Sequence, residues 1–225
     1  ENNKMPRLIV VNKLDRETTD FSAIVKNIEE SLGRKCVPIQ SPVGIESNFK
    51  SVVDLMDVKE NSVEGAILDI ESGKERLIEA VAESDDQLAT KYLEGEDISN
   101  EEVIQGLKAG VINGDIVPII AISTETGTGI QELLKIIDLL LPSPAESKNS
   151  YGIESDLAEA KNLSNTSDGP LTAFVFKTTA DPFVGKLSFF RIYSGSLKSN
   201  SEVVVARSGG NERIGQVFSI IDRKS

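Results

Sequence analysis

Residues 7–15 read Arg7-Leu8-Ile9-Val10-Val11-Asn12-Lys13-Leu14-Asp15, and this stretch decides the fold. Its first five residues form an apolar run with β-branched side chains, which is typical of a short buried strand in a parallel sheet. A polar turn follows, and then a helix that we expect to begin after Asp20 and to end at Gly33. One face of this helix is apolar: Phe21, Ile24, Val25, Ile28 and Leu32. A strand, a polar loop and a helix in this order predict half of a βαβ unit.

The same order of elements returns after residue 115. The apolar run 116–122 predicts a second strand, and the loop after it reads Ser123-Thr-Glu-Thr-Gly-Thr-Gly129. A helix over 130–141 follows, and Thr128 with Gln131 has the spacing of a capping box. Open α/β sheets bind ligands in loops at the carboxyl ends of their strands, so both polar loops are candidate binding loops.

Residues 43–115 interrupt this pattern and predict an inserted, acidic α+β subdomain. The run 49–56 alternates like a strand, and we expect it to pair with residues 66–70. Two acidic helices follow, and capping boxes indicate where they begin: Ser72 with Glu75, and Ser99 with Glu102.

The composition changes again after the second strand–loop–helix unit. Residues 146–169 are polar and rich in Ser, Asn and Asp, which is typical of a linker. Residues 170–225 hold short β-rich runs separated by Gly, Ser and Asn, which predict the start of an all-β barrel domain. The remaining residues, 1–42 and 116–145, together form the predicted α/β unit.

The composition also excludes several kinds of site. The 225 residues include no histidine and one cysteine, Cys36, so a Ser-His-Asp triad, a transition-metal site and an internal disulfide lack their parts. The net charge of −12 argues against a general affinity for nucleic acid. Residues 1–150 carry 28 acidic and 15 basic side chains, whereas residues 151–225 carry 8 and 9, which suggests two units with different partners.

The turn Asn12-Lys13-Leu14-Asp15 fits the Asn-Lys-x-Asp motif with which GTP-binding proteins read guanine. Guanine presents two donors, N1–H and the exocyclic amine, and the two oxygens of one carboxylate, here Asp15, accept both. Adenine has an acceptor at N1 and would leave that carboxylate unpaired. Asn12 would either donate to N7 or tie neighbouring loops together, and the stem of Lys13 would lie across the base. The tetrapeptide alone also fits a solvated turn, but its position between a strand and a helix favours a binding loop.

The loop after the second strand supplies the other candidates. Ser123-Thr124-Glu125 occupies the place of the second guanine loop of these proteins, which usually reads Ser-Ala-x. There the backbone N–H of Thr124 would contact the guanine carbonyl, and Ser123 would steady the Asp15 loop. A Gly-rich loop that starts a helix and binds nothing is the alternative. The predicted nucleotide-binding residues are Asn12, Lys13, Asp15, Ser123 and Thr124.

The phosphate-binding part of such a site has no counterpart in the sequence. A P-loop reads Gly-x-x-x-x-Gly-Lys-Ser/Thr, and neither Gly-Lys pair, Gly73-Lys74 or Gly185-Lys186, fits that pattern. We therefore expect no catalytic residue and no metal ligand in the chain, and no GTPase activity from it alone. A first residue other than Met and the lack of a signal peptide suggest an internal segment of a longer cytoplasmic protein.

Several further blocks, in the right order, make the chain resemble translation elongation factor G of bacteria. They are Val37 to Gly44, Phe49 to Leu55, the helix ending Leu-Leu-Pro-Ser-Pro at residue 144, and the run 181–195, Asp-Pro-Phe-Val-Gly-Lys-Leu-Ser-Phe-Phe-Arg-Ile-Tyr-Ser-Gly. The resemblance implies the C-terminal part of a P-loop GTPase sheet with the insertion, followed by the start of the second, β-barrel domain. A short insertion and the Thr-Glu-Thr after Ser123 leave an elongation-factor-G-like paralogue open.

The resemblance also implies a function for the whole protein. It would bind GTP or GDP with Mg²⁺, hydrolyse GTP on the ribosome, and drive translocation of tRNA and mRNA. The acidic insertion would contact the large-subunit stalk, and the β-barrel domain would contact small-subunit rRNA; no membrane is involved. A release-factor or ribosome-protection relative, and a stand-alone ribosome-binding module with a vestigial nucleotide loop, remain alternatives. An exposed first strand, 7–11, would favour non-native association through the sheet edge.

Overall fold

The computed structural model describes residues 5–57, 59, 62–146, 165–181 and 185–219. The chain divides into two units, Glu1–Pro142 and Ser143–Ser225. The elements of the first unit are β1 (Ile9–Val11), α1 (Phe21–Leu32), β2 (Cys36–Pro38), β3 (Gln40–Val43), β4 (Ser51–Asp54), α2 (Ile70–Glu83), α3 (Asp86–Glu94), α4 (Asn100–Asn113), β5 (Val117–Ala121) and α5 (Ile130–Leu140). The predicted fold class is confirmed, because an α/β unit with a parallel sheet is followed by β-structure.

The sheet that positions the candidate loops has the strand order β1-β5-β2, and both pairings are parallel. Val11 at the end of β1 lies opposite Ala121 at the end of β5. Since parallel strands end at the same edge, the loops that follow them are neighbours. β5 is buried at every position, as expected for the central strand of a covered parallel sheet.

Helix α1 begins and ends where the sequence predicts. Asp20 accepts a hydrogen bond of 3.0 Å from the N–H of Ala23, and the N–H of Gly33 returns to the carbonyl of Glu29. Phe21 and Val25 are buried against the sheet. Leu32, at the end of the predicted apolar face, is 53% exposed, so the buried part of that face does not reach the last residue of the helix.

Helix α5 begins at Ile130 as predicted, but it is capped differently from the prediction. Its N-cap is Gly129, with φ +79°, and no side chain caps the helix, so the Thr128–Gln131 capping box does not form. The carbonyl of Thr128 instead accepts the N–H of Ser123, and its hydroxyl lies 2.8 Å from the hydroxyl of Thr126. Because Thr128 makes these hydrogen bonds within the loop, its side chain does not cap α5.

The described residues of the predicted insertion form three helices, whereas the sequence predicts two. The N-cap of α2 is Asp69, which accepts the N–H of Ser72, so Ser72 is the third helical residue and not the cap. Asp85 caps α3 and thereby splits the segment that the sequence assigns to one helix. The capping box of Ser99 and Glu102 at the start of α4 is confirmed.

The strand pairing in the insertion also differs from the prediction. β4 pairs antiparallel with β3, in the register Gln40 to Asp54 and Val43 to Ser51. Residues 66–70 do not pair with β4; a single bridge joins Ala66 to Val43 on β3. Alternation along 49–56 indicates a strand correctly but says nothing about its partner, because pairing depends on long-range packing.

The helices of the insertion pack into the same hydrophobic core as the sheet. Leu107 and Val111 of α4 lie in one buried cluster with Ile120 of the central strand and with Ile136 and Leu140 of α5. An ion pair also links the insertion to α1, since Arg76 Nη2 lies 2.5 Å from Glu29 Oε1. The inserted segment therefore stabilises the sheet that holds the candidate loops.

The second unit contains two β-hairpins in its described part. β6 (Thr172–Asp181) pairs antiparallel with β7 (Gly185–Ser194), and β8 (Glu202–Val204) pairs with β9 (Asn211–Arg213). Most of the predicted linker, 147–164, and residues 182–184 of the run 181–195 lie outside the described residues. Of the helices that the structure describes, none has the length and apolar character to cross a membrane.

Replacement of Glu102 by Gln should make the free energy of unfolding depend less on pH. A hydrogen bond from Lys91, at 2.5 Å, and bonds from Ser99 lower the pKa of Glu102 from 4.5 to about 2. A lowered carboxyl pKa stabilises the fold above pH 4.5, and this contribution disappears as the pH falls through about 2. Urea midpoints of Glu102→Gln and of the unmutated chain should differ at pH 7 and converge towards pH 2. Gln keeps the capping box, so the change tests the charge.

A Lys91→Met background provides the control for this prediction. Without the ammonium group the largest cause of the lowered pKa is gone, and Glu102→Gln should then change the urea midpoint less. An equal effect of Glu102→Gln in both backgrounds would contradict the assigned role of Lys91.

Candidate functional site

The loops after β1 and β5 are joined by backbone hydrogen bonds just beyond the sheet. Ile122 donates its N–H to the carbonyl of Val11 at 2.9 Å, and Leu14 donates to the carbonyl of Ile122 at 3.4 Å. Leu14 is buried beneath the turn and packs in the core cluster with Val11 and Phe21. The polar residues on either side of Leu14 are thereby held at the carboxyl edge of the sheet.

Asp15 and Ser123 form the first side-chain contact between the loops. The Ser123 hydroxyl donates to Asp15 Oδ1 at 2.5 Å and accepts the N–H of Thr126 at 3.2 Å. Ser123 is fully buried, whereas Asp15 is partly exposed. A buried hydroxyl with a backbone donor on one side and a carboxylate on the other fixes the direction of that carboxylate.

Asn12 and Thr124 form the second contact. Asn12 Oδ1 accepts backbone N–H groups from Lys13, at 2.7 Å, and from Thr124, at 3.1 Å. Asn12 Nδ2 donates to the Thr124 hydroxyl at 3.2 Å. Of the two roles open for Asn12 on the sequence, the tying of loops is therefore observed. The Thr124 N–H, which the sequence assigns to a ligand carbonyl, is bonded to Asn12 in this structure.

Lys13 is exposed and has an unusual backbone conformation. Its φ is +68°, in the left-handed region that non-glycine residues rarely adopt. Its carbonyl accepts the N–H of Arg16 at 3.1 Å and the hydroxyl of Thr19 at 3.4 Å, and these bonds stabilise the conformation. The left-handed residue reverses the chain between Asn12 and Asp15, so that both side chains reach the second loop.

Sequence reasoning missed three residues that shape the site. Thr126 and Thr128 close the second loop, and their Ser/Thr-rich spacing after Ser123 is a signal for such turns. Glu46 accepts the N–H of Thr18 at 3.0 Å and anchors the far end of the first loop. No local pattern could reveal Glu46, because it lies 28 positions from its partner.

The possible metal ligands and the one cysteine of the chain do not come together at these loops in the part of the chain that the structure describes. Within the described ranges, no three His, Cys, Asp or Glu side chains come together as metal ligands. Cys36 is buried on β2, and burial raises the pKa of its thiol, which keeps it protonated and part of the packing.

The polar groups that the two loops leave exposed are hydrogen-bond donors and acceptors. Asp15 presents a partly exposed carboxylate, and its lone pairs beyond the one bonded to Ser123 can accept further hydrogen bonds. Asn12 and Lys13 lie exposed beside it, and Thr124 faces them from the second loop. All five predicted residues are thus gathered at one edge of the sheet.

Comparison with known proteins agrees with this architecture. Residues 1–143 match the family model for the elongation factor Tu GTP binding domain, and residues 170–225 match the model for elongation factor G domain 2. A crystal structure of a protein from Thermus thermophilus superposes with a TM-score of 0.70 at 27% identity. The match covers 95% of this chain and 31% of that one. The chain belongs to the translational GTPases of the elongation factor G and elongation factor Tu type.

Proposed function

We propose that the chain carries the base-recognition loops of a ribosome-dependent GTPase, an elongation factor that acts in translocation of tRNA and mRNA. The observation that carries this proposal is the pair of interlocked loops, in which Ser123 fixes Asp15 and Thr124 fixes Asn12. Loops that are joined before a ligand arrives lose little conformational freedom on binding, which favours affinity.

The fixed carboxylate of Asp15 explains selectivity for guanine. Oδ1 already accepts the Ser123 hydroxyl, but each carboxylate oxygen has two lone pairs, so both oxygens can still accept from a base. N1–H and the exocyclic amine of guanine supply those two donors, whereas adenine places an acceptor at N1 against the carboxylate. The Lys13 stem would cover the face of the base while its ammonium group stays in water.

The chemistry of GTP hydrolysis belongs to the whole protein in this proposal. Mg²⁺ and the phosphates would be held by a P-loop, and residues 1–225 include no such motif. The loops described here bind the base of GTP or GDP and orient it. They take no part in bond cleavage.

The partners are also proposed for the whole protein. The acidic insertion at 43–115 would contact the large-subunit stalk, and the β-barrel domain that starts at 170 would contact small-subunit rRNA in the cytoplasm. Two observations support this assignment. The chain matches a family model of the translational GTPases, and helices α2 and α3 carry acidic residues on their exposed sides. The open edge of β1, where Val10 is 40% exposed, would allow non-native association of the isolated chain.

Binding of GMP to the 225-residue chain tests the proposed base site. We expect amide chemical shifts of residues 12–15 and 123–126 to change with millimolar GMP and to stay constant with AMP. We expect GTP hydrolysis, single-turnover or steady-state, to equal that of buffer. Equal shifts with both nucleotides would contradict guanine recognition, and Mg²⁺-dependent turnover would contradict the assignment of catalysis to a P-loop elsewhere.

A further inference from the structure

Thr124 is the residue at which this site departs from the usual Ser-Ala-x loop. Alanine would offer only a backbone N–H at this position, whereas Thr124 adds a hydroxyl. That hydroxyl accepts from Asn12 Nδ2 at 3.2 Å and lies 3.3 Å from Asn12 Oδ1. The extra group therefore contacts a neighbouring recognition residue rather than solvent alone.

The orientation of the Asn12 carboxamide follows from its neighbours. Two backbone N–H groups, from Lys13 and Thr124, point at one atom of the amide, so that atom is the carbonyl oxygen. The other atom is the NH₂ group, which has two hydrogens. One hydrogen is directed to the Thr124 hydroxyl, and no acceptor among the described residues is bonded to the second.

We propose that Thr124 is a positioning residue, whose hydroxyl fixes the Asn12 carboxamide so that the second N–H is presented to N7 of a bound guanine. This inference rests on the proposed guanine site. Without the hydroxyl, Oδ1 keeps its two bonds from backbone N–H groups, but the amide loses the bond that the hydroxyl donates to Oδ1 and the one that it accepts from Nδ2. A donor fixed in advance binds more tightly than one that must be ordered during binding.

A pair of variants isolates the hydroxyl. Thr124→Val removes the hydroxyl and keeps the β-branched shape, whereas Thr124→Ser keeps the hydroxyl and removes the methyl group. GMP and 7-deaza-GMP, in which carbon replaces N7, are the probes. We expect Thr124→Val to raise the Kd for GMP about three- to tenfold, the effect of one hydrogen bond, and to leave the Kd for 7-deaza-GMP unchanged. Thr124→Ser should bind both nucleotides like the unmutated chain.

The Asn12 side chain gives a second measurement that needs no nucleotide. Solvent exchange of its Nδ2 hydrogens, followed by NMR, should be faster in Thr124→Val and unchanged in Thr124→Ser. Unchanged exchange in Thr124→Val would overturn the role of Thr124. Equal loss of affinity for GMP and 7-deaza-GMP would overturn the contact with N7.

The guanine site and the positioning role of Thr124 can be disproved separately. If the unmutated chain shows no GMP-dependent shifts, the guanine site and the N7 contact are both overturned, whatever the exchange rates. If GMP binds and Thr124→Val binds it as well as the unmutated chain does, the guanine site stands and only the positioning role of Thr124 is overturned.

Discussion

Replacement of Asp15 by Asn should reverse the base preference of the chain from GMP to XMP. Xanthine carries a carbonyl where guanine carries the exocyclic amine, so an amide can accept from N1–H and donate to that carbonyl. With guanine the amide oxygen can still accept one donor, but that bond is no longer to a charged group, and the second bond, worth about 1.5–3 kcal/mol, is replaced by two donors that face each other. The affinity for GMP should therefore fall about 100-fold or more. The Ser123 hydroxyl can still donate to the amide oxygen of the variant, so the loop should keep its shape.

Titration of both nucleotides, followed by amide chemical shifts, measures this reversal. Asp20→Asn is the matched control, because Asn caps a helix as well as Asp does and Asp20 bonds only to the start of α1. That variant should prefer GMP like the unmutated chain. A chain with Asn at position 15 that still prefers GMP would show that Asp15 does not contact the base.

The second large effect is expected from Gly129→Ala, at the junction of the second loop and α5. Gly129 has φ +79°, and a Cβ there would lie 2.5 Å from the carbonyl oxygen of Ala121, a backbone atom at the end of the central strand. The left-handed conformation costs alanine about 1–2 kcal/mol, and the clash adds about 1–3 kcal/mol. We expect the free energy of unfolding to fall by about 3 kcal/mol, measured by urea denaturation with circular dichroism.

Gly127→Ala separates the two causes. Gly127 has the same φ of +79°, but a Cβ there meets nothing within 4 Å. Gly127→Ala should lower the free energy of unfolding only by the cost of the left-handed conformation, about 1–2 kcal/mol. Equal losses of stability for the two variants would contradict the proposed clash with Ala121.

The parts of the fold that follow from the sequence are those with local causes. Helix α1 has one capping aspartate, Asp20, and one terminal glycine, Gly33, so its ends could be predicted. Near α2, Asp69 and Ser72 are both good capping residues and lie three positions apart. Which of them caps the helix depends on the burial of Ile70, and that burial is set by tertiary packing. The partner of β4 is tertiary for the same reason.

At the site, too, some features have local causes and others depend on tertiary structure. Residue types at the ends of two parallel strands predict which side chains come together, and the structure places Asp15 against Ser123. The tying of the loops by Asn12 is one of two roles open on the sequence, but its bonds to Thr124 could not be specified, because they depend on the left-handed backbone at Lys13 and on a hydroxyl 112 positions away. Both features arise only when the loops are folded side by side.

The core that the insertion shares with the sheet has a consequence for engineering and for evolution. A segment that has its own hydrophobic core can be deleted or exchanged while the rest of the protein stays folded. Here Leu107 and Val111 of α4 lie in the same buried cluster as Ile120 and Ile122, so removal of α4 would open the core on which the strand before Ser123 packs. The segment is thus not an independent module, and changes in it that loosen Leu107 or Val111 would reach the loops that carry Asp15 and Ser123 through packing alone.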